Sequence, residues 1–217
     1  MSAKTDSYCK LLVFAKAPVA GQVKTRLIPL LGAEGAAGLH EQLTRHALAT
    51  ALAARIGAVE LWGAPSPRHA FFKRCAQEFG ISLHAQSTGD LGERMFHAFE
   101  KTLRSKKYAV ITGSDCPTLT VEDLQQAAEA LKAGNDAVFC PAEDGGYVLI
   151  GLSLCSPLLF QDVVWSSPLV LQQTRVNLRK LNWRWRELDT LWDVDRPEDY
   201  HRLAELPGWN LRREAAR

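Results

Sequence analysis

Three cations stand close together in the segment Lys16-Ala-Pro-Val-Ala-Gly-Gln-Val-Lys-Thr-Arg26: Lys16, Lys24 and Arg26, with Gly21 and Thr25 among them. Backbone amides at a glycine turn, together with ammonium and guanidinium tips, are the groups that hold a pyrophosphate. Arg26 adds a planar fork that matches two phosphate oxygens at once. Two other phosphate loops do not fit. A Walker A loop needs Gly directly before Lys-Thr, where this chain has Val23, and another Gly where it has Pro18. The dinucleotide fingerprint needs three glycines, and only Gly21 is present.

The carboxylates fall into four short segments. Gly113-Ser-Asp-Cys-Pro117 follows an apolar run, so Asp115 stands just past a strand end, where Pro117 stops the strand. Nucleotide phosphates usually arrive with Mg²⁺ or Mn²⁺, hard cations that take carboxylate, phosphate and water oxygens, and Asp115 is the leading ligand candidate. Its plainer role is a turn-forming Asp bonded to its own backbone. In Asp193-Val-Asp-Arg-Pro-Glu-Asp199, the spacing of Asp195 and Glu198 predicts a helix cap. A cap residue can also face a ligand crevice, so this segment, through Asp193 or Asp195, offers a second acidic position for the same cation. Asp144-Gly145-Gly146-Tyr147 reads as a hairpin turn. Its functional reading is a bare backbone that a substrate approaches closely, with Asp144 accepting bonds from hydroxyls. Gly89-Asp90-Leu91-Gly92-Glu93-Arg94 is either a helix start or, through Asp90 and Gly92, a nucleotide or sugar contact.

Other features carry less. Five scattered cysteines without a C-x-x-C argue against both a disulfide framework and a zinc–thiolate site. Cys116 reads as a small packing residue, and each of the six histidines as surface or core filler rather than a ligand. In Trp183-Arg-Trp-Arg186 the period of two puts both tryptophans on one face, as in a half-buried edge strand. A net charge of +2 with interleaved signs is no footprint for nucleic acid. No apolar run approaches the roughly 18 residues of a membrane span, and the N-terminus lacks the apolar core of a secretory signal. A reduced, cytoplasmic setting is the expectation.

These groups need a scaffold. The 217 residues contain no repeat, low-complexity tract or linker, so one domain over 1–217 is expected, with its core at about 8–206. Leu11 to Phe14 is continuously apolar, as a strand buried on both faces should be. Expected helices run over Ala33–Arg55, His69–Phe79, Leu91–Ser105, Val121–Ala133, Val170–Lys180 and Arg196–Leu206. Expected strands run over Ala58–Trp62, Ile81–Ala85, Tyr108–Thr112, Ala137–Cys140, Tyr147–Leu152 and Trp183–Leu188. The alternation implies an α/β fold with a mainly parallel sheet, whose ligands bind outside the carboxyl ends of the strands.

Six segments in order resemble the DUF2064 family, glycosyltransferase-like members of the nucleotide-diphospho-sugar transferase superfamily. They are Phe14 to Leu27, Gly89 to Met95, Gly113 to Pro117, Asp144 to Leu152, Trp165-Ser-Ser167 and Asp193 to Asp199. The likeness runs from about Leu11 to Leu203; Ala20 stands where Pro is frequent, and Arg196 where Thr is frequent. It implies a three-layer α/β/α GT-A fold with a mainly parallel mixed sheet. By the same resemblance, Gly21, Lys24 and Arg26, beside Lys16 and Thr25, hold the nucleotide's phosphates. Asp115 takes the metal-binding position, Asp195 is the second metal carboxylate, and Asp144 to Tyr147 with Trp165 line the sugar or acceptor side. The implied ligands are Mg²⁺ or Mn²⁺, a nucleotide sugar or nucleoside triphosphate, and a small-molecule acceptor. Three functions compete: glycosyl transfer with Asp144 orienting, or acting as base toward, the acceptor hydroxyl; nucleotidyl transfer of the pyrophosphorylase or phospholactate guanylyltransferase type; and nucleotide binding without catalysis.

Overall fold

The computed structural model describes residues 8–209 and 211. The stretch read for a secretory signal falls largely on residues 1–7, outside the described residues. The strands are β1 (Cys9–Lys16), β2 (Ala58–Ala64), β3 (Ser82–Ala85), β4 (Tyr108–Thr112), β5 (Ala137–Pro141), β6 (Tyr147–Leu152) and β7 (Trp185–Glu187). The helices are α1 (Ile28–Ala54), α2 (Ala70–Phe79), α3 (Leu91–Leu103), α4 (Val121–Lys132), α5 (Val170–Lys180) and α6 (Pro197–Ala204). No helix among the described residues is long and apolar enough to cross a membrane.

The strands form one sheet in the order β3-β2-β1-β4-β6-β5-β7. Only β6 runs against its neighbours, pairing antiparallel with both β4 and β5. Alternate residues of β1 enter opposite cores, as the continuous apolar run requires. Leu11, Val13 and Ala15 pack with Leu48 of α1, Phe72 of α2 and Leu124 of α4. Leu12 and Phe14 pack with Phe99 of α3 and Leu178 of α5. The architecture is therefore three-layered, with α1, α2 and α4 on one face and α3 and α5 on the other. A third cluster joins Leu39 and Leu43 of α1 to Leu203 of α6, through Trp192 and Val194.

The chain leaves β1 toward β2 on one side and later returns to β4 on the other, so a crevice opens between the ends of β1 and β4. Three expectations shift locally. Gly32, at φ 70 and ψ 168, breaks α1, so the long helix proper begins at Ala33 as its periodicity predicts. The cap of α6 falls one residue later than expected: Asp199, not Glu198, accepts from the amides of Asp195 and Arg196 at 3.0 and 2.7 Å. The expected Trp183–Leu188 strand contracts to β7, with both tryptophans against the second core and both arginines exposed.

Candidate active site

A cleft of about 610 Å³ opens where β1, β4 and the β5–β6 hairpin end. Its volume lies in the range of small-molecule sites. The end of β1 and the loop after it supply Lys16, Lys24, Thr25 and Arg26 to its wall, and the loop after β4 supplies Ser114 and Asp115. The hairpin and the segments before α5 and α6 add Asp144, Tyr147, Trp165, Asp193 and Asp195. A second cavity of about 410 Å³ adjoins it and shares Arg26, Asp144, Asp193 and Asp195.

The first loop does more than present cations to solvent. Gly21 turns it at φ 79, a conformation that glycine adopts without strain. Lys24 follows at φ 49 and caps the short 3-10 turn Thr25–Leu27. Its side chain is buried, and Nζ lies 2.8 Å from Asp115 Oδ2 and donates to the Val194 carbonyl at 2.6 Å. An ammonium has three N–H donors, so one remains for a ligand. The Val194 amide donates to the Asp115 carbonyl at 3.0 Å, which stitches the segment before α6 to the end of β4. Arg26 forms an ion pair with Asp195.

Asp115 is two-fifths exposed to the cleft. Burial alone would push its carboxyl up, but the Lys24 ammonium, His40 and the hydrogen bonds from Lys24 and Ser114 outweigh this and hold it at about 2. Asp193 behaves oppositely. Burial and then the charges of Asp144 and Asp115 push it up to about 6. Burial is the larger cause, and the neighbouring carboxylates add to it. An oxygen donor set of this kind fits a hard divalent cation. Among the described residues no three His, Cys, Asp or Glu side chains make a ready cage, so water and phosphate oxygens would complete the coordination.

His40 was not legible as a site residue, yet it enters the cleft from α1. Its Nε2 lies 2.9 Å from the Lys16 carbonyl and its Nδ1 lies 3.6 Å from Asp115 Oδ1. Burial pushes the imidazole below its usual value, against the pull of Asp115 and the Lys16 bond. Gln86, which the sequence did not single out, and Arg94, from the Gly89–Arg94 segment, are further wall residues. The Gln86 amide donates to the Trp62 carbonyl at 2.8 Å and accepts from Arg94 at 3.1 Å, which holds the guanidinium at the cleft.

Several expected contacts have architectural roles. Asp90 and Gly92 are not among the wall residues. Asp90 caps α3, accepting from the Glu93 amide at 2.9 Å, and any β-carbon at Gly92 would meet the Trp165 indole. A β-carbon at Gly145 would strike the Pro168 carbonyl, so packing alone demands glycine there. Gly21 shapes the first loop without lining the wall. Asp144 stays at the cleft, aimed by the Gly146 amide that donates to its Oδ1 at 2.8 Å. Cys116 is buried and its thiol is pushed up by that burial, consistent with packing.

Residues 47–167 match the family described as an uncharacterized protein conserved in bacteria, DUF2064. The chain belongs to the DUF2064 family. A search of curated proteins finds no match. The DUF2064 chain is 32% identical to a protein of Desulfovibrio desulfuricans G20 that carries the provisional name nucleotide-diphospho-sugar transferase. The match has a TM-score of 0.79 and covers 88% of this chain and 83% of that one. A cytidylyltransferase from Leptospira borgpetersenii shares the fold at 14% identity and TM-score 0.58, over 89% and 84% of the two chains. Rv0371c from Mycobacterium tuberculosis H37Rv, in a structure with manganese, shares it at 17% identity and TM-score 0.55, over 93% and 100%. The fold of this DUF2064 member is that of the nucleotide-diphospho-sugar transferases.

Proposed function

We propose that this DUF2064 protein is a divalent-metal-dependent transferase that takes a sugar from a nucleotide-diphospho-sugar and passes it to a small hydroxyl acceptor. The observation that carries the reading is the meeting of Lys24, Asp115, Asp193 and Asp144 in one cleft at the carboxyl ends of the parallel strands. The name carried by the Desulfovibrio relative agrees with it, as does the manganese in a structure of the same fold.

A cation held by Asp115, with Asp193 or Asp195 as a second carboxylate, would neutralise charge on the departing nucleoside diphosphate. Of the two, Asp193 shares the field of Asp115, whereas Asp195 is engaged by Arg26. Lys24, Lys16 and Arg26 would add donors to the phosphate oxygens. Asp144 belongs to the wall common to both cavities. Its remaining oxygen would accept the proton of the acceptor hydroxyl as that oxygen bonds to the anomeric carbon. The bond from that carbon to the diphosphate breaks, and the electron pair leaves with the diphosphate.

One observation favours a second reading. The buried Lys24 and the nearby Arg26 would equally suit a departing pyrophosphate, as in nucleotidyl transfer from a nucleoside triphosphate. One assay separates the two. The protein is incubated with Mn²⁺ or Mg²⁺ and panels of nucleotide sugars and nucleoside triphosphates. Nucleoside diphosphate released from a nucleotide sugar supports glycosyl transfer. Pyrophosphate release that depends on a phosphorylated acceptor would replace it with nucleotidyl transfer.

A further inference from the structure

His40 is 4% exposed, and its Nδ1 has no hydrogen-bond partner. The other ring nitrogen fixes the tautomer. Nε2 lies 2.9 Å from the Lys16 carbonyl, which only accepts, so Nε2 carries the hydrogen and Nδ1 presents a lone pair. That lone pair stands 3.6 Å from Asp115 Oδ1. Two electron-rich atoms thus face each other across a gap too long for a hydrogen bond. The gap is short enough for both to bind one cation, each at roughly 2.0–2.2 Å. Lys24 Nζ engages the other oxygen of the same carboxylate, Asp115 Oδ2, and the Val194 carbonyl, so Oδ1 faces the imidazole. Ser114 donates to Oδ1 at 3.1 Å, which leaves that oxygen a further lone pair.

A histidine whose second nitrogen is anchored on a backbone carbonyl is the usual form of a metal-binding imidazole, because the anchor sets both ring orientation and tautomer. We propose that His40 Nδ1 joins Asp115 Oδ1 as a protein ligand of the divalent cation, and that this nitrogen makes the site prefer Mn²⁺ to Mg²⁺. Mg²⁺ dehydrates reluctantly and is served by oxygen donors, whereas imidazole raises affinity for first-row transition ions. The proposal rests on the metal-dependent reading above and adds to it a ligand and a metal preference. It also gives a role to a buried nitrogen in α1 that packing leaves unused.

The test uses the full chain with Mn²⁺ alone and again with inorganic pyrophosphate added. Pulsed EPR on the bound Mn²⁺ should show coupling to a ¹⁴N nucleus, replaced by the ¹⁵N pattern when the protein's histidines are ¹⁵N-labelled. His40→Asn should remove that coupling and weaken Mn²⁺ binding by about tenfold or more, with a smaller change for Mg²⁺. His40 is the histidine that lines the cleft, so a histidine coupling in the unaltered protein that disappears with Asp115→Asn decides even if the His40 variant does not fold. Mn²⁺ that binds, is lost in Asp115→Asn, and shows no histidine nitrogen would overturn the role of His40 while leaving metal dependence standing. Absence of Asp115-dependent Mn²⁺ binding under both conditions would overturn the metal reading itself, and this proposal with it.

Discussion

Asp115 and Lys24 lie far apart in sequence and meet at 2.8 Å, one half-exposed to the cleft and the other inside the protein. The pairing gives each a separate consequence. Asp115→Asn keeps the shape and removes the charge that a cation would need. Stabilisation of the protein by Mn²⁺ with pyrophosphate, read as a shift in Tm, is expected to vanish in this variant. Retention of the shift would show that the cation binds elsewhere. Lys24→Met removes the donor from the Val194 carbonyl and the partner from Asp115. Leaving such groups unpaired costs about 1–3 kcal/mol, measurable by urea unfolding. The lost charge-assisted bond should also weaken pyrophosphate binding by about tenfold or more, as calorimetry would report. A variant as stable as the parent would mean that water replaces the ammonium without loss.

The elements explain why part of this site could be read from sequence and part could not. Loops after buried strands are recognisable because the apolar run stops and chemistry begins, which located Lys16 to Arg26, Asp115 and Asp144. His40 escaped because it sits within α1, where its helical spacing resembles that of a core residue. Only the tertiary approach of α1 to β1 and β4 turns it toward Asp115. Gln86 escaped for a related reason, since its role depends on Arg94 and on the Trp62 carbonyl. The glycines are a different case. At Gly92 and Gly145 a β-carbon would meet another part of the chain, a packing demand that local sequence does not display. Gly145 also has φ 90, so both sterics and backbone resist a side chain there. Gly145→Ala should therefore destabilise the protein by about 1–3 kcal/mol by forcing the hairpin away from Pro168. Chemical denaturation checks this, and a change under about 0.5 kcal/mol, typical of an unconstrained surface site, would contradict the packing argument.

At the scale of the whole molecule, the sheet carries a polar cluster beside the cleft wall that ties its β3 side together and should contribute stability that is lost in acid. Glu60 on β2 is buried, 2.5 Å from Lys10 on β1, and accepts from the Trp62 indole at 3.0 Å. Lys101 of α3 lies over the same indole, 5.2 Å from its centroid, so the second helical layer is tied to the cluster too. Burial alone would raise the Glu60 carboxyl, but the Lys10 and Trp62 bonds, with the charges of His84 and Lys10, bring it below its ordinary value. A carboxyl depressed in the folded state binds its proton more weakly there than in the unfolded chain. Its contribution is therefore complete above the unfolded value, near 4.5, and is lost as pH falls through the folded one. Unfolding free energies measured from about pH 7 to pH 3 should show the parent protein more stable than Glu60→Gln at the upper end. The gap should close on the acid side, because protonation makes Glu60 as neutral as the glutamine. Asp193, pushed up to about 6, also titrates in this range, which is why the difference between the two proteins, rather than either curve, carries the test. A gap independent of pH would mean that Glu60 acts through its shape and hydrogen bonds and not through its charge.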